Sequence, residues 1–366
     1  MSHPADRIDN SHRPNFGMDD KSGMVDGYCS IPWQNIQITQ DGSIYNCDCM
    51  GKVKANIGNI LDIETSNDFL KILNNNFFKD SILDGSYRYC RALVCSYLEN
   101  NMLKINESVF VNSKLELEQH ATRPLNIYLN IDDSCNLKCP SCRNEVVIHK
   151  NNKEYMTAKS ILDKLSYVIL PALDYHAEIT LSSGGELFAS PAFMEWIFDF
   201  NVTLYPNIKF TFMTNGTLLH KNKEFLQKIE KNISAFYVSI DAASEETYKK
   251  TRINGKWEDL LKGLELIKEF SKNNDEIKRK SFFHYCISNL NFHELNDFVE
   301  FAKDFGNEKV SFQRIERWGQ NDVQWKEMNV FDPLHPQYPR LLEQIRNFDF
   351  NNKLLISNLH YLKNKL

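Results

Sequence analysis

Three thiols crowd into one short run of this chain, Cys135-Asn-Leu-Lys-Cys139-Pro-Ser-Cys142. Thiolates are soft, strongly donating ligands, suited to iron–sulfur clusters and to zinc. A C-x3-C-x2-C loop offers three of them at close quarters. Wrapped on a cubane, three ligands leave the fourth iron free of protein and open to a small molecule, whereas a structural zinc site is closed by a fourth ligand. Zinc with a distant fourth ligand is the competing reading, and its usual ribbon presents two C-x2-C pairs, for which no match follows here.

Nine cysteines in all, with no apolar signal segment in the polar stretch Met1 to Gly23, point to metal-binding or catalytic thiols rather than disulfides. Five of them, Cys29, Cys47, Cys49, Cys90 and Cys95, lie in roughly the first quarter, while Cys286 stands alone. Other runs with chemical potential are Ser183-Gly184-Gly185-Glu186, Thr214-Asn215-Gly216, Val238-Ser239-Ile240-Asp241-Ala242, and Arg252. An apolar share of 42% with 25% charged residues is the mix of a globular protein, and a net charge of −5 calls for no nucleic-acid or anionic-membrane partner. No run of some 18 apolar residues suggests a membrane helix, so a cytoplasmic protein is expected.

Elements must position these residues. Ile36–Thr39 and Ser43–Tyr45 flank Asp41-Gly42, a strong hairpin signal, and Ser66–Asn75 reads as a helix with Leu70, Ile72 and Leu73 inward. After Arg123 the texture alternates. Strands are expected at Leu125–Ile131, Ala177–Ser182, Ile208–Thr214, Ala235–Ile240, Phe282–Ile287 and Lys309–Gln313. Helices are expected at Ala158–Ile169, Pro191–Phe200, Lys223–Lys231, Trp257–Phe270, Phe292–Phe305 and Tyr338–Phe348. Such alternation predicts an α/β fold, a parallel sheet forming a partial (β/α)6 TIM-like barrel, with reactive residues at the carboxyl ends of its strands. The cysteine loop follows the first of these strands, and Gly184, Glu186, Asn215 and Asp241 follow the next three.

The cysteine loop and the strand-end motifs together resemble the radical S-adenosylmethionine (SAM) superfamily, over roughly Arg123 to Arg317. The resemblance implies a catalytic [4Fe–4S] cluster on Cys135, Cys139 and Cys142. It implies that Gly184, Gly185 and Glu186 hold the SAM ammonium, that Ser239 and Asp241 contact its ribose or methionine part, and that Arg252 pairs with its carboxylate. A surface salt bridge is the alternative for Arg252. The implied chemistry is reductive cleavage of SAM to a 5′-deoxyadenosyl radical that removes hydrogen from a substrate. Ser141 stands where many relatives have an aromatic residue, and no glycine-rich adenine motif is visible around Phe282–Asn291. His284, Cys286, Gln313 and Arg314 are candidates to face substrate, against a default of packed core, and a barrel lined by Val, Ile, Leu and Phe is expected to shield the radical.

The pattern Cys29-x12-Gly42-x4-Cys47 resembles the hairpin of the SPASM/twitch auxiliary-cluster domain, here ahead of the barrel rather than after it. Cys90 and Cys95 would complete a second [4Fe–4S] cluster, with Cys49 in place of Cys47 or zinc in place of iron as open alternatives. That cluster would conduct electrons or brace the barrel mouth. The expected organisation is a disordered tail (1–24), a SPASM/twitch-like auxiliary iron–sulfur domain (25–115), the barrel (120–325) and a C-terminal helical extension (326–366). Expected partners are a peptide or protein substrate, or else a sugar, nucleotide or other small metabolite, and an electron donor such as flavodoxin or ferredoxin. A zinc-stabilised, non-catalytic binding protein is the reading from another class.

Overall fold

Alternation decides which face of each strand is covered. Along Leu125–Asn130 every second residue is buried, and along Phe282–Ile287 the same period recurs with opposite phase. The computed structural model describes residues 29, 31–47, 53–74, 77–83, 86–91, 95, 125–181, 184–307, 309–317, 320–350 and 355–357. The expected tail 1–24, Cys49 and Ser183 lie outside the described residues.

The strands are β1 (Asn35–Thr39), β2 (Ser43–Tyr45), β3 (Gly58–Asn59), β4 (Leu125–Asn130), β5 (Ala177–Leu181), β6 (Ile208–Thr214), β7 (Ile233–Ser239), β8 (Phe282–Ile287), β9 (Val310–Arg314) and β10 (Leu355–Ser357). They form one sheet in the order β10-β9-β8-β7-β6-β5-β4-β1-β2-β3. The six expected barrel strands are its centre, each parallel to the next. Four strands extend it, β1, β2 and β3 on one side and β10 on the other. β1 pairs parallel with β4, from Asn35↔Asn126 to Thr39↔Asn130, and β10 pairs parallel with β9. The hairpin therefore continues the barrel sheet, and the last segment adds a strand to the expected helix, which spans Tyr338–Arg346.

Register carries one apolar stripe across the sheet: Ile36 and Ile38, Ile127 and Leu129, Ile179 and Leu181, Phe210 and Phe212, Phe236 and Val238, Phe283 and Tyr285, then Phe312. All are buried in one core with the helical residues Ile161, Phe193, Leu264 and Phe298. Each such side chain contributes roughly 1.5–3 kcal/mol by leaving water. The opposite face carries Gln37, Tyr128, Thr180, Met213, Tyr237, Ser239, His284 and Gln313. The expectation of a barrel lined by Val, Ile, Leu and Phe is corrected: those residues face the helices, because helices cover one face of this sheet and its strands alternate.

Three local boundaries differ from expectation. The helix expected at Ala158–Ile169 begins at Lys153, since the Asn152 side chain accepts the Tyr155 N–H and caps it, and it runs on as a π-helical stretch over Leu165–Ile169. The helix Ser66–Asn74 buries Phe69, with Leu70 only half-buried. Phe292–Glu294 is a 3-10 turn ahead of the helix Leu295–Asp304.

Candidate active site

The loop after β4 folds back on itself: the Cys135 N–H donates to the Val147 carbonyl at 2.6 Å, and the Val147 N–H returns to Cys135 at 3.3 Å. Neighbouring strand ends hold it. The Glu186 N–H donates to the Ser134 carbonyl at 2.7 Å, and Lys138 N–H to Ile253 at 3.1 Å. Asn136 exchanges side-chain hydrogen bonds with Asn215 and Thr217 after β6. The glycines after β5 have a packing reason as well as a chemical one. A Cβ on Gly185 would lie 2.1 Å from the Ser134 carbonyl oxygen, and Gly184 holds φ +70°.

Cys135 and Cys139 are buried and Cys142 is exposed. Burial pushes the Cys135 thiol up to about 11 and also raises that of Cys139. Thiols in such surroundings become thiolates when a cation takes them as ligands. Two of the sulfurs have a hydrogen-bond donor beside them: the Leu137 N–H at 3.4 Å from Cys135 and Arg252 Nη1 at 3.7 Å from Cys139. Among the described residues, the one trio of potential ligands with atoms within 4.8 Å of one another is Asp132, Asp133 and His149. The three cysteine sulfurs do not form such a trio. Three soft thiolates carried on one loop fit the ligand set of a cubane with one open iron.

Glu186 is fully buried, and burial lifts its carboxyl to about 7 despite hydrogen bonds from the Asn215 N–H (2.6 Å), the Thr214 hydroxyl (2.8 Å) and the Phe188 N–H (3.2 Å). Asp241 sits at φ +60°, accepts the Cys286 N–H at 2.7 Å, and pairs with Arg252 Nη2 at 2.7 Å. Arg252 is not part of a surface salt bridge: its side chain is 12% exposed and that of Asp241 4%. Burial opposes its charge, and Asp241, Cys139 and Tyr248 outweigh that cost, so the guanidinium stays charged. Its Nε and the Tyr248 hydroxyl are buried without a partner. Unpaired buried donors cost about 1–3 kcal/mol each. They fit an anionic group such as the SAM carboxylate. Ser239 ends β7 on the inner face beside His284.

His284, Cys286 and Gln313 share the inner face, with His284 Nε2 and Gln313 Oε1 3.0 Å apart. Burial lowers the His284 pKa and raises the Cys286 thiol well above its usual range, so both are held neutral. Arg314 is exposed in register with Ile287, on the other face. Sequence reasoning missed Arg143 and Asn291. Asn291 accepts the Ser288 N–H and donates to Asp241 and Cys286 carbonyls, lining a small cleft with Ser141, Cys286 and Ser288.

At the other end of β1, Cys29, Cys47 and Cys90 join Val53, Phe78, Ile82 and Tyr87 in a small core. Burial and then Cys95 push the Cys90 thiol up to about 12. Because β1 and β4 are parallel and β2 runs back, Cys29 and Cys47 lie at the amino end of the strands and Cys135 at the carboxyl end. Strand β1 itself spans about 17 Å between those ends. Cys29 and Cys47 thus lie at the end of the sheet opposite the Cys135 loop.

A parallel α/β sheet that presents three loop thiols at its carboxyl end, beside a buried glutamate and arginine, defines a class of cluster-bearing barrels. Residues 129–302 match the model of the radical SAM superfamily, and residues 29–96 match the model of an iron–sulfur cluster-binding domain. The family brings a [4Fe–4S] cluster and SAM as cofactors, and the second domain brings auxiliary iron–sulfur binding. The chain is similar to a probable GTP 3′,8-cyclase of Methanococcus maripaludis, 30% identical over 137 residues covering 37% of this chain and 43% of that one. It is also similar to the GTP 3′,8-cyclase of Synechocystis, 25% identical over 207 residues, 57% of this chain and 59% of that one. The chain thus spans about half the length of the curated relatives it matches. Among solved structures, Streptococcus suis SuiB bound to S-adenosylmethionine aligns at 15% identity with TM-score 0.41, over 91% of this chain and 72% of that one. No helix among the described residues is long and apolar enough to cross a membrane.

Proposed function

We propose that this protein is a radical SAM enzyme that removes hydrogen from a peptide or protein substrate, with Cys135, Cys139 and Cys142 as the ligands of its catalytic cluster. The observation that carries this reading is the trio of thiols at the carboxyl end of β4, two of them buried and each of those two with a hydrogen-bond donor at its sulfur. When bound, the cluster and SAM supply reductive cleavage of the sulfonium to a 5′-deoxyadenosyl radical. The chain's own residues orient that cofactor. Arg252 Nε and the Tyr248 hydroxyl are unpaired donors available to its carboxylate. Gly184 and Gly185 bring backbone close to its amino group, with Glu186 behind them. Ser239 and Asp241 are the proposed ribose contacts, and the charge of Arg252 holds Asp241 in place.

Substrate would lie on the inner face, where neutral His284 and Gln313 can donate and accept hydrogen bonds without giving up a charge. Cys29, Cys47, Cys90 and Cys95 are the proposed ligands of one auxiliary cluster, which would pass electrons or brace the amino end of the sheet. A flavodoxin or ferredoxin would serve as donor. Similarity to the two cyclases favours a second reading, the same chemistry on a nucleotide. Anaerobic protein incubated with dithionite and SAM should release 5′-deoxyadenosine. Bound zinc with negligible sulfide, and no release, would favour a non-catalytic binding protein instead.

A further inference from the structure

Arg143 follows the third cysteine directly and has no place in the motifs that identify the site. Its Nη2 donates to the Gly184 carbonyl at 2.6 Å and its Nη1 donates to the Asp133 carbonyl. One guanidinium, on the residue after the third thiol, therefore joins the backbone ahead of Cys135 to the glycine turn of the neighbouring strand. A rigid planar fork can hold two carbonyls in this way; a lysine ammonium, a point charge on a flexible stem, cannot fix both in one geometry. An arginine side chain keeps its charge throughout the ordinary pH range. The turn it grips has no freedom to compensate, since a Cβ at Gly185 already has no room against Ser134.

We propose that Arg143 is a positioning residue that couples the catalytic cluster loop to the SAM-binding turn, through its simultaneous hold on the Asp133 and Gly184 carbonyls. The inference rests on the reading that Cys135, Cys139 and Cys142 hold the cluster. Two consequences follow from the geometry. A fixed positive charge beside a ligand thiolate stabilises the reduced, more negative cluster and raises its potential. A clamped Gly184 carbonyl keeps the turn ordered before SAM arrives, so less freedom is lost on binding.

The test compares Arg143→Gln, which removes the charge, with Arg143→Lys, which keeps the charge and removes the fork. Iron-loaded proteins are titrated electrochemically under anaerobic conditions, with the cluster followed by electron paramagnetic resonance, and SAM affinity is measured by equilibrium dialysis. Arg143→Gln should make reduction about tenfold less favourable, a shift of about 59 mV to more negative potential for one electron. Arg143→Lys should leave the potential near that of the wild type and weaken SAM binding severalfold. A merely structural brace would lower iron content and leave the potential of the loaded fraction unchanged. Wild-type potential and SAM affinity in a fully loaded Arg143→Gln protein overturn the proposal. Should Arg143→Gln fail to take up iron, unchanged SAM affinity in Arg143→Lys overturns it alone. Failure of the underlying reading looks different: the wild-type protein itself then gives no SAM-sensitive cluster signal, or Cys139→Ala retains that signal, and both readings fall together.

Discussion

Glu186 carries an electrostatic conflict that can be measured. Unfolded, its carboxyl titrates near the ordinary value of about 4.3. Folded, burial places it at about 7. Between those values the folded protein keeps a proton that the unfolded chain has released. Its contribution to stability therefore falls as pH rises from about 4 to about 7 and levels off above, a change of up to about 3 kcal/mol. Denaturant titrations of the metal-free protein at pH 5 and pH 8 should show this loss, and Glu186→Gln should flatten it; an unchanged pH dependence in that variant contradicts the assignment. Gly185→Ala has a steric origin instead. With the Ser134 carbonyl at 2.1 Å from the added carbon, the loop must shift. We expect a loss of about 3 kcal/mol or more and failure to load the catalytic cluster, read by thermal denaturation and iron content. The cysteine loop was legible because ligand spacing is local in the chain. Arg143 and Asn291 were not, because their partners, Gly184, Asp241 and the Cys286 carbonyl, meet them only through folding.

Strand β1 shows how an element can be legible in the sequence while its neighbour in the sheet is not. The Asp41-Gly42 turn and its flanks were visible as a hairpin, with the Asp41 carboxylate accepting from Ser43 and Thr39 to fix the turn. Its parallel pairing with β4, from a point far along the chain, left no local trace. The same holds for β10 beside β9. By contrast the six central strands and their helices followed from periodicity, because each buries one alternating face. Ile36 and Ile38 are fully buried in the same core as Ile127 and Leu129. Ile38→Ala should therefore cost about 2–5 kcal/mol and lower the stability of the whole sheet in one unfolding transition. Two separate transitions, with only the earlier one shifted, would mean that the cysteine-rich segment folds apart from the barrel.

On the scale of the whole molecule, the parallel sheet sets two thiol groups at opposite ends of its strands. Cys135, Cys139 and Cys142 occupy the carboxyl end, and Cys29 and Cys47, packed with Cys90, occupy the amino end. Two cubanes would bring about eight irons per chain. Replacing Cys29 and Cys90 by alanine should lower this to about four while SAM cleavage without substrate persists; loss of all iron would mean that the two sites do not assemble independently. The chemistry depends on one iron that no protein ligand covers. The most direct measurement is the electron paramagnetic resonance spectrum of the dithionite-reduced Cys29→Ala, Cys90→Ala protein, which leaves only the catalytic cluster, recorded with and without SAM. A change in g-values on adding SAM, absent when the cofactor is replaced by methionine and adenosine, is the predicted result. A reduced-cluster spectrum that SAM leaves untouched would contradict it.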